Sequence, residues 1–284
     1  MKISLVMSTV GRVMELERFL EHLDRQSYQD LELILVDQNE DRRLSKVVER
    51  YRRKLSIAHL SSERGLSRGR NAGLKYISGD VVAFPDDDCW YHTSDLLKNV
   101  VECFSRSPQV DGVSVGVVDE QGRPAYLRRP SKDLQIDRYN LWGAVISFSI
   151  FLRRDVVRRV GRFDESLGVG ASTPWGAGEE MDYMLRVLEH GFRIHYTPAL
   201  AVSHPAPTAI FDNNSAIRAH SYGMGGGRVL RMHRYPWWFA ARNWTRALLA
   251  SVLALSHGNF GKAKTRWACF LGELRGWFSL AHRA

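Results

Sequence analysis

Four times between Ile3 and Phe104 the chain runs an apolar, β-favouring stretch into a polar loop and then into a helically spaced stretch. The apolar runs are Ile3 to Ser8, Leu31 to Val36, Ile57 to Leu60 and Val81 to Phe84. The helical stretches are Met14 to Gln26, Leu44 to Arg53, Arg70 to Ile77 and Asp95 to Phe104. This alternation admits few architectures. Apolar runs without a polar face are strands buried on both sides, and right-handed crossovers lay the helices over both faces of a parallel sheet. Ligands of such sheets bind at the carboxyl ends of the strands. Thr9, Asp37, Ser61 and Asp86 all fall at those ends, on one rim.

The fourth run is the most informative, because Val81-Val82-Ala83-Phe84-Pro85 leads into Asp86-Asp87-Asp88. Three adjacent carboxylates repel one another, and a divalent cation relieves that repulsion. Hard oxygen ligands suit magnesium or manganese. In an extended segment Asp86 and Asp88 would face one site and Asp87 would turn aside. The plainer reading is a polar loop with Asp88 capping a turn, or Ser94 and Asp95 opening a helix.

Beyond Phe104 the spacing predicts a strand over Gly112 to Val118 and an irregular stretch over 119–142 containing the basic pair Arg128-Arg129. A strand over Ala144 to Leu152 and a short helix over Asp155 to Val160 follow. Residues 163–178 form a glycine-rich loop, and Glu179 to His190 is helical. Two short strands, Phe192 to Thr197 and Ala199 to Ser203, lead to His204. Acids in the first turn of a helix are favoured by its dipole, which by itself accounts for Glu179, Glu180 and Asp182. The functional alternative is that the loop delivers Glu180 as a general base. His204 is an ordinary histidine in isolation, and a metal-ligand candidate beside the acid cluster.

With 284 residues, 44% of them hydrophobic and 25% charged, the chain suits a globular α/β domain plus an appendage and not a disordered protein. Cys89, Cys103 and Cys269 show neither metal-ligand spacing nor a disulfide framework, which fits a reducing compartment. Cys89 is read as a small buried filler. The first apolar run is too short for a signal peptide and already reads as a strand.

The ordered set of motifs resembles the family 2 glycosyltransferases of GT-A fold. The pieces are Ser8-Thr9 with Arg12, Leu35-Val36-Asp37, Gly65-Leu66-Ser67-Arg68-Gly69-Arg70-Asn71-Ala72-Gly73, and Gly79-Asp80 leading into the run that ends at Asp88. Gly161-Arg162-Phe163-Asp164-Glu165, Gly178-Glu179-Glu180-Met181-Asp182 and His204 complete it. The resemblance covers about residues 1–210. It implies an inverting transferase using a nucleotide-diphosphate sugar, UDP-linked by default, with Mn²⁺ or Mg²⁺. Thr9, Arg12, Asp37, Arg70, Asp86 and Asp87 would contact the donor. Asp88 would ligate the metal, with His204 as a late metal or diphosphate contact. Many relatives have Asp where this chain has Glu180, so the base is either Glu180 or Asp182, and Glu180 is preferred. The implied acceptor is a glycan or lipid-linked glycan in surface polysaccharide biosynthesis. Transfer to a polyprenyl phosphate, or a non-catalytic scaffold of GT-A fold, are the alternatives. Sugar-nucleotide pyrophosphorylases are set aside, because Thr9-Val10-Gly11-Arg12 is not their glycine-rich loop.

The expected domain plan is a catalytic domain over 1–210, with a nucleotide-binding half over 1–118 and an acceptor half over 119–210. A mobile basic segment at 211–235 and amphipathic helices at 236–284 follow. Beyond Asp212 eleven Lys and Arg face the single acid Glu273, so the basic character of the +9 chain lies in this quarter. Tyr222 to Arg228, with three consecutive glycines, reads as a hinge or as a nest of backbone N–H groups for phosphate. Trp175 either stacks on a sugar or packs. Pro236-Trp237-Trp238-Phe239 opens an apolar helical run too short and too charged to span a bilayer. Trp267, Phe270, Leu271, Leu274 and Phe278 share one face of a second helix, with Lys262, Lys264, Arg266, Arg275 and Arg283 elsewhere. Such helices suit an anionic membrane surface, which places the protein in the cytoplasm, peripheral on the inner face of the cell membrane. The alternatives are packing on the catalytic domain or on a second subunit. No nucleic-acid-binding module is present.

Overall fold

The computed structural model describes residues 1–125, 129–206 and 210–279. Its strands are β1 (Ile3–Thr9), β2 (Leu31–Asp37), β3 (Ile57–Ser61), β4 (Val81–Ala83), β5 (Gly112–Val118), β6 (Leu134–Gln135), β7 (Ile150–Arg153) and β8 (Ile194–Ser203). Its helices are α1 (Met14–Asp24), α2 (Ser45–Arg52), α3 (Leu66–Gly73), α4 (Leu96–Arg106), α5 (Leu141–Ala144), α6 (Arg154–Val160), α7 (Glu179–Glu189), α8 (Asn213–Met232), α9 (Trp237–Ser256) and α10 (Phe260–Phe278). The chain forms two compact units. The first is Met1–Arg64, Arg68–Arg162 and Tyr183–Pro207; the second is Gly65–Ser67, Phe163–Asp182 and Thr208–Ala284. The glycine-rich loop, expected within the acceptor half, therefore groups with the C-terminal helices.

The first unit holds one sheet in the order β3-β2-β1-β4-β7-β5-β8-β6. Strands β3, β2, β1 and β4 are mutually parallel, as the repetition predicts. Strand β7 runs antiparallel between β4 and β5, β8 is parallel to β5, and β6 is antiparallel to β8. Leu5, Met7, Leu33 and Leu35 from the sheet, Leu16, Phe19 and Leu20 from α1, and Leu97, Val100 and Phe104 from α4 form one buried core. Each such side chain contributes about 1.5–3 kcal/mol by leaving water. Gly73 lets α3 approach the sheet, since a Cβ there would lie 2.5 Å from Val6 Cγ1.

Two expected strands change. Ala144 to Leu152 is not one strand: Ser147–Ser149 is a 3-10 turn, and only Ile150–Arg153 pairs. Ser149 Oγ bonds the carbonyl of Ile146 at 2.8 Å, so the serine side chain takes a backbone acceptor and curls the chain. Conversely, the two runs either side of Pro198 form one strand, β8, with the register against β5 shifting between Val115 and Gly116. Proline has no N–H to give the ladder, and the bulge absorbs it.

In the second unit the glycine cluster is not a break. Helix α8 runs unbroken through Tyr222-Gly223-Met224-Gly225-Gly226-Gly227. A Cβ at Gly223 would lie 2.5 Å from the carbonyl of Cys269, and one at Gly227 would collide with that of Glu273. Gly272 and Gly276 of α10 face the carbonyls of His220 and Met224 in the same way. Interleaved glycines thus bring two helix backbones into contact, and the composition that suggests a hinge serves close packing. Ser251 Oγ of α9 donates to the carbonyl of Ala263 in α10 at 2.9 Å. Among the described residues no helix is long and apolar enough to cross a membrane.

Candidate active site

The parallel register aligns the rim. Thr9 pairs with Asp37, and Asp37 with Ser61, so three strands end together. Gln38 N–H donates to the carbonyl of Thr9 at 2.9 Å, fixing the turn out of β2. The Asp37 carboxylate is buried. Its Oδ1 accepts from Asn39 N–H at 2.9 Å and from Asn39 Nδ2 at 2.7 Å, and Oδ2 lies 3.0 Å from His59 Nε2. Asn39 in turn accepts from Gly11 N–H at 2.7 Å, which ties the loop after β1 to that after β2.

After β4 the chain does not stay extended. It turns at Asp87 and Asp88, and Cys89 N–H donates back to the carbonyl of Asp86 at 3.3 Å. Alternation of Asp86 and Asp88 about a deflected Asp87 therefore fails, and each of the three carboxylates is held by a cationic side chain. Asp86 Oδ1 accepts from Arg70 Nη2 at 3.1 Å, and Ser147 Oγ lies 3.5 Å from Oδ2. Arg70 is 1% exposed, and its guanidinium is a buried counter-charge to Asp86. Asp87 accepts from Thr9 Oγ1 at 2.7 Å and from Arg12 Nη1 at 2.8 Å. Burial pushes its carboxyl up to about 6, against the opposing pull of Arg12 and Thr9. Arg12 also pairs with Asp88, bracketing two acids.

Asp88 meets His204 because Trp90 and Ser203 exchange backbone hydrogen bonds, each 2.9 Å, which draws the turn onto the end of β8. Asp88 Oδ1 lies 3.3 Å from His204 Nε2. Burial alone would raise the Asp88 carboxyl, but His204 and Arg12 outweigh it and hold it below its ordinary value. Burial alone would lower the His204 imidazolium, but Asp88 outweighs it and holds it above. Phe148 stacks on the imidazole at 4.8 Å and 10°.

No group of three or more His, Cys, Asp or Glu side chains placed to hold a metal occurs among the described residues. The paired Asp88 and His204 still fit a cation of the manganese or magnesium type. Such ions are commonly held by one or two protein ligands and completed by substrate phosphates and water, and manganese accepts imidazole. The histidine binds metal as neutral imidazole, so metal would replace the proton it shares with Asp88.

In the second unit the first turn of α7 carries the other carboxylates. Glu179 is buried and packs at Gly168, whose φ of +99° bars a side chain on that loop. Asp182 is buried and lies 2.9 Å from Nε2 of His233, the C-cap residue of α8. Glu180 is half-buried, between two buried neighbours. Arg228 lies over Trp175 at 4.3 Å and covers one face of the indole, so packing accounts for that face.

His59, Ser147, Phe148 and His233 are absent from the sequence-level site. A polar residue inside the apolar run of β3 was the available signal for His59. Phe148 and Ser147 reach the rim because β7 is antiparallel and enters it with its N-terminal end, which no local pattern encodes. Arg129, of the expected basic pair, donates to the carbonyls of Val115 at 2.7 Å and Ala144 at 2.9 Å and so staples the sheet; Arg128 and Arg283 lie outside the described residues.

Comparison with known proteins gives this rim a family. A relative from Haloferax volcanii, glucosyl-dolichyl phosphate glucuronosyltransferase, is 26% identical over 222 residues, covering 72% of this chain and 69% of that protein. The pre-mycofactocin glycosyltransferase of Mycobacterium tuberculosis is 26% identical over 168 residues, covering 56% of this chain and 34% of that one. Among solved structures, S. aureus TarS 1-349 aligns with a TM-score of 0.65 at 17% identity, covering 100% of this chain and 93% of TarS. The mannosyltransferase PcManGT from Pyrobaculum calidifontis, in complex with GDP-Man and Mn2+, aligns with a TM-score of 0.65 at 17% identity, covering 98% and 87%. The model of glycosyl transferase family 2 matches residues 4–161, more than half of the chain. The chain belongs to glycosyl transferase family 2 and is a glycosyltransferase of GT-A fold.

Proposed function

We propose that the protein is an inverting, metal-dependent transferase that moves a sugar from a nucleotide diphosphate, UDP in the first instance, to a hydroxyl of a glycan or lipid-linked glycan. The observation that carries this reading is the Asp88–His204 pair, set on the same rim as Thr9 and Asp37. Asp37 takes a base N–H or ribose hydroxyl of the nucleotide, and Thr9 and Arg12 hold the loop that receives it. Asp88 and His204 are the residues for the cation. When bound, Mn²⁺ or Mg²⁺ would offset the negative charge that develops on the leaving diphosphate.

Glu180 is the general base of this reading. Asp182 is buried against His233, whereas Glu180 is partly open, which supports Glu180 of the two. Its carboxylate takes the proton of the acceptor hydroxyl. The hydroxyl oxygen bonds to the anomeric carbon from the face opposite the diphosphate, and the carbon–oxygen bond to the diphosphate breaks. The nucleoside diphosphate leaves with that electron pair and the anomeric centre inverts.

The Haloferax relative's name supports a lipid-phosphate-linked sugar as acceptor. Surface glycan synthesis on the cytoplasmic membrane face is the setting this reading proposes. Titration with UDP in the presence and absence of Mn²⁺ is the test. Binding that requires the metal and is lost in Asp88→Asn supports the donor site; equal, metal-free binding by wild type and variant defeats it. Transfer to a bare polyprenyl phosphate needs no strong base, so Glu180→Gln separates that acceptor from a sugar hydroxyl.

A further inference from the structure

We infer that the turn joining α9 to α10 is a docking tip for an anionic phospholipid surface. Leu249, Val252, Leu253 and Leu255 at the end of α9 are 66%, 55%, 60% and 50% exposed, and Phe260 at the start of α10 is 73% exposed. Five large apolar side chains are thus displayed around one three-residue turn. Isolated exposed hydrophobes are ordinary on a protein surface, but a contiguous group at one tip marks an interaction site.

The N–H groups of the three turn residues are already paired. His257 N–H bonds the carbonyl of Leu253 at 3.3 Å, Gly258 N–H that of Leu255 at 2.9 Å, and Asn259 N–H that of Ala254 at 2.9 Å. Gly258 takes a φ of +70°, which permits this tight closure. Asn259 Oδ1 then accepts from Lys262 N–H at 2.9 Å and caps α10. A turn whose amides are paired internally loses little on entering a medium poor in water, so the apolar side chains keep their gain.

Charge decides the occupant. Lys262, Lys264 and Arg266 are exposed on the first two turns of α10, and no Asp or Glu occurs between Trp237 and Gly272. Trp267 is 46% exposed and stands seven residues beyond Phe260, about 10 Å up α10. That is the depth at which an indole sits between acyl chains and headgroups. A second copy of this chain would bring a like-charged ring against the first and repel it. Anionic headgroups match the cations while the acyl boundary receives the apolar tip. The helices do not span, so the contact is a shallow one.

The inference does not depend on the transfer chemistry. Its test is sedimentation of the full chain with vesicles of phosphatidylcholine, with and without phosphatidylglycerol, at low and high salt. Expected are binding to the phosphatidylglycerol vesicles, weakening with salt, and at least about a tenfold loss of affinity in Leu253→Asp/Phe260→Asp. Lys262→Glu/Lys264→Glu should abolish the preference for anionic vesicles at unchanged thermal stability and nucleotide binding. No binding to anionic vesicles, no preference for them, or full binding by either double variant overturns the inference. A concentration-dependent dimer lost in Leu253→Asp/Phe260→Asp, without vesicle binding, overturns it in favour of a second copy.

Discussion

Asp88 and His204 approach to 3.3 Å from two segments far apart in the chain, joined by the backbone bridge between Trp90 and Ser203. Arg12 and Phe148 close in this carboxylate and imidazole; in the proposed function the donor's diphosphate would complete the shell of a cation held there. Asp88→Asn and His204→Ala are each expected to lower transfer on the order of 100-fold and to remove Mn²⁺-dependent nucleotide binding. Initial rates and calorimetric titration with UDP check this. Near-wild-type titration by both variants would place the metal elsewhere.

Glu180 and Asp182 should separate cleanly. Glu180→Gln is expected to abolish transfer while donor affinity and melting temperature stay near wild type. Asp182→Asn should instead lose about 1–3 kcal/mol of stability, because His233 loses its charged partner. Parallel assays of rate, donor affinity and thermal unfolding decide the matter. Full activity of Glu180→Gln would exclude it as the base.

His59 lies 3.0 Å from Asp37 and so would support the donor site proposed there. His59→Ala is expected to weaken donor binding by about 1 kcal/mol, or roughly fivefold, with kcat little changed. Steady-state kinetics in donor concentration give the split; a fall confined to kcat would contradict the assignment.

The glycines of α8 are expected to differ sharply. A Cβ at Gly225 would collide with the carbonyl of Ala177, whereas one at Gly226 meets nothing within 4 Å. Gly225→Ala should cost about 1–3 kcal/mol, and Gly226→Ala should gain about 0.5–1 kcal/mol from helix propensity. Thermal melts of the two variants test the close-packing account, which a stabilised Gly225→Ala would refute.

Glu273 gives the second unit a pH dependence. Burial pushes its carboxyl up to about 7, with Cys269 the weaker, opposing influence. A carboxyl raised above its unfolded value favours the protonated folded state. Its stabilisation is complete below the unfolded pKa near 4.5 and is lost as pH rises through about 7. Glu273→Gln is expected to stabilise the protein by about 1–3 kcal/mol at pH 8 relative to wild type, and by much less at pH 5. Melting curves at the two pH values show whether that difference exists.

The β-loop-α repetition, the rim formed by Thr9, Asp37 and Ser61, and the placing of the acidic run at the end of β4 were legible from local pattern alone, whereas the turn those acids make was not. Apolar runs must be buried on both faces, and a parallel sheet leaves its strand ends on one side. The ends of α1, α2, α4, α6 and α7 were legible within a few residues, since amphipathic spacing is a property of neighbours in sequence. Pairing was not legible. That Arg70 pairs with Asp86, that Asp182 pairs with His233, and that Phe148 stacks on His204 depend on which segments the fold brings together. The glycines of α8 show the limit most plainly. Their composition permits either a flexible break or a close crossing, and the choice rests with α10, whose own Gly272 and Gly276 supply the matching surface. Periodicity and propensity act between near neighbours, whereas a side chain's partner is chosen by the contacts of the whole chain.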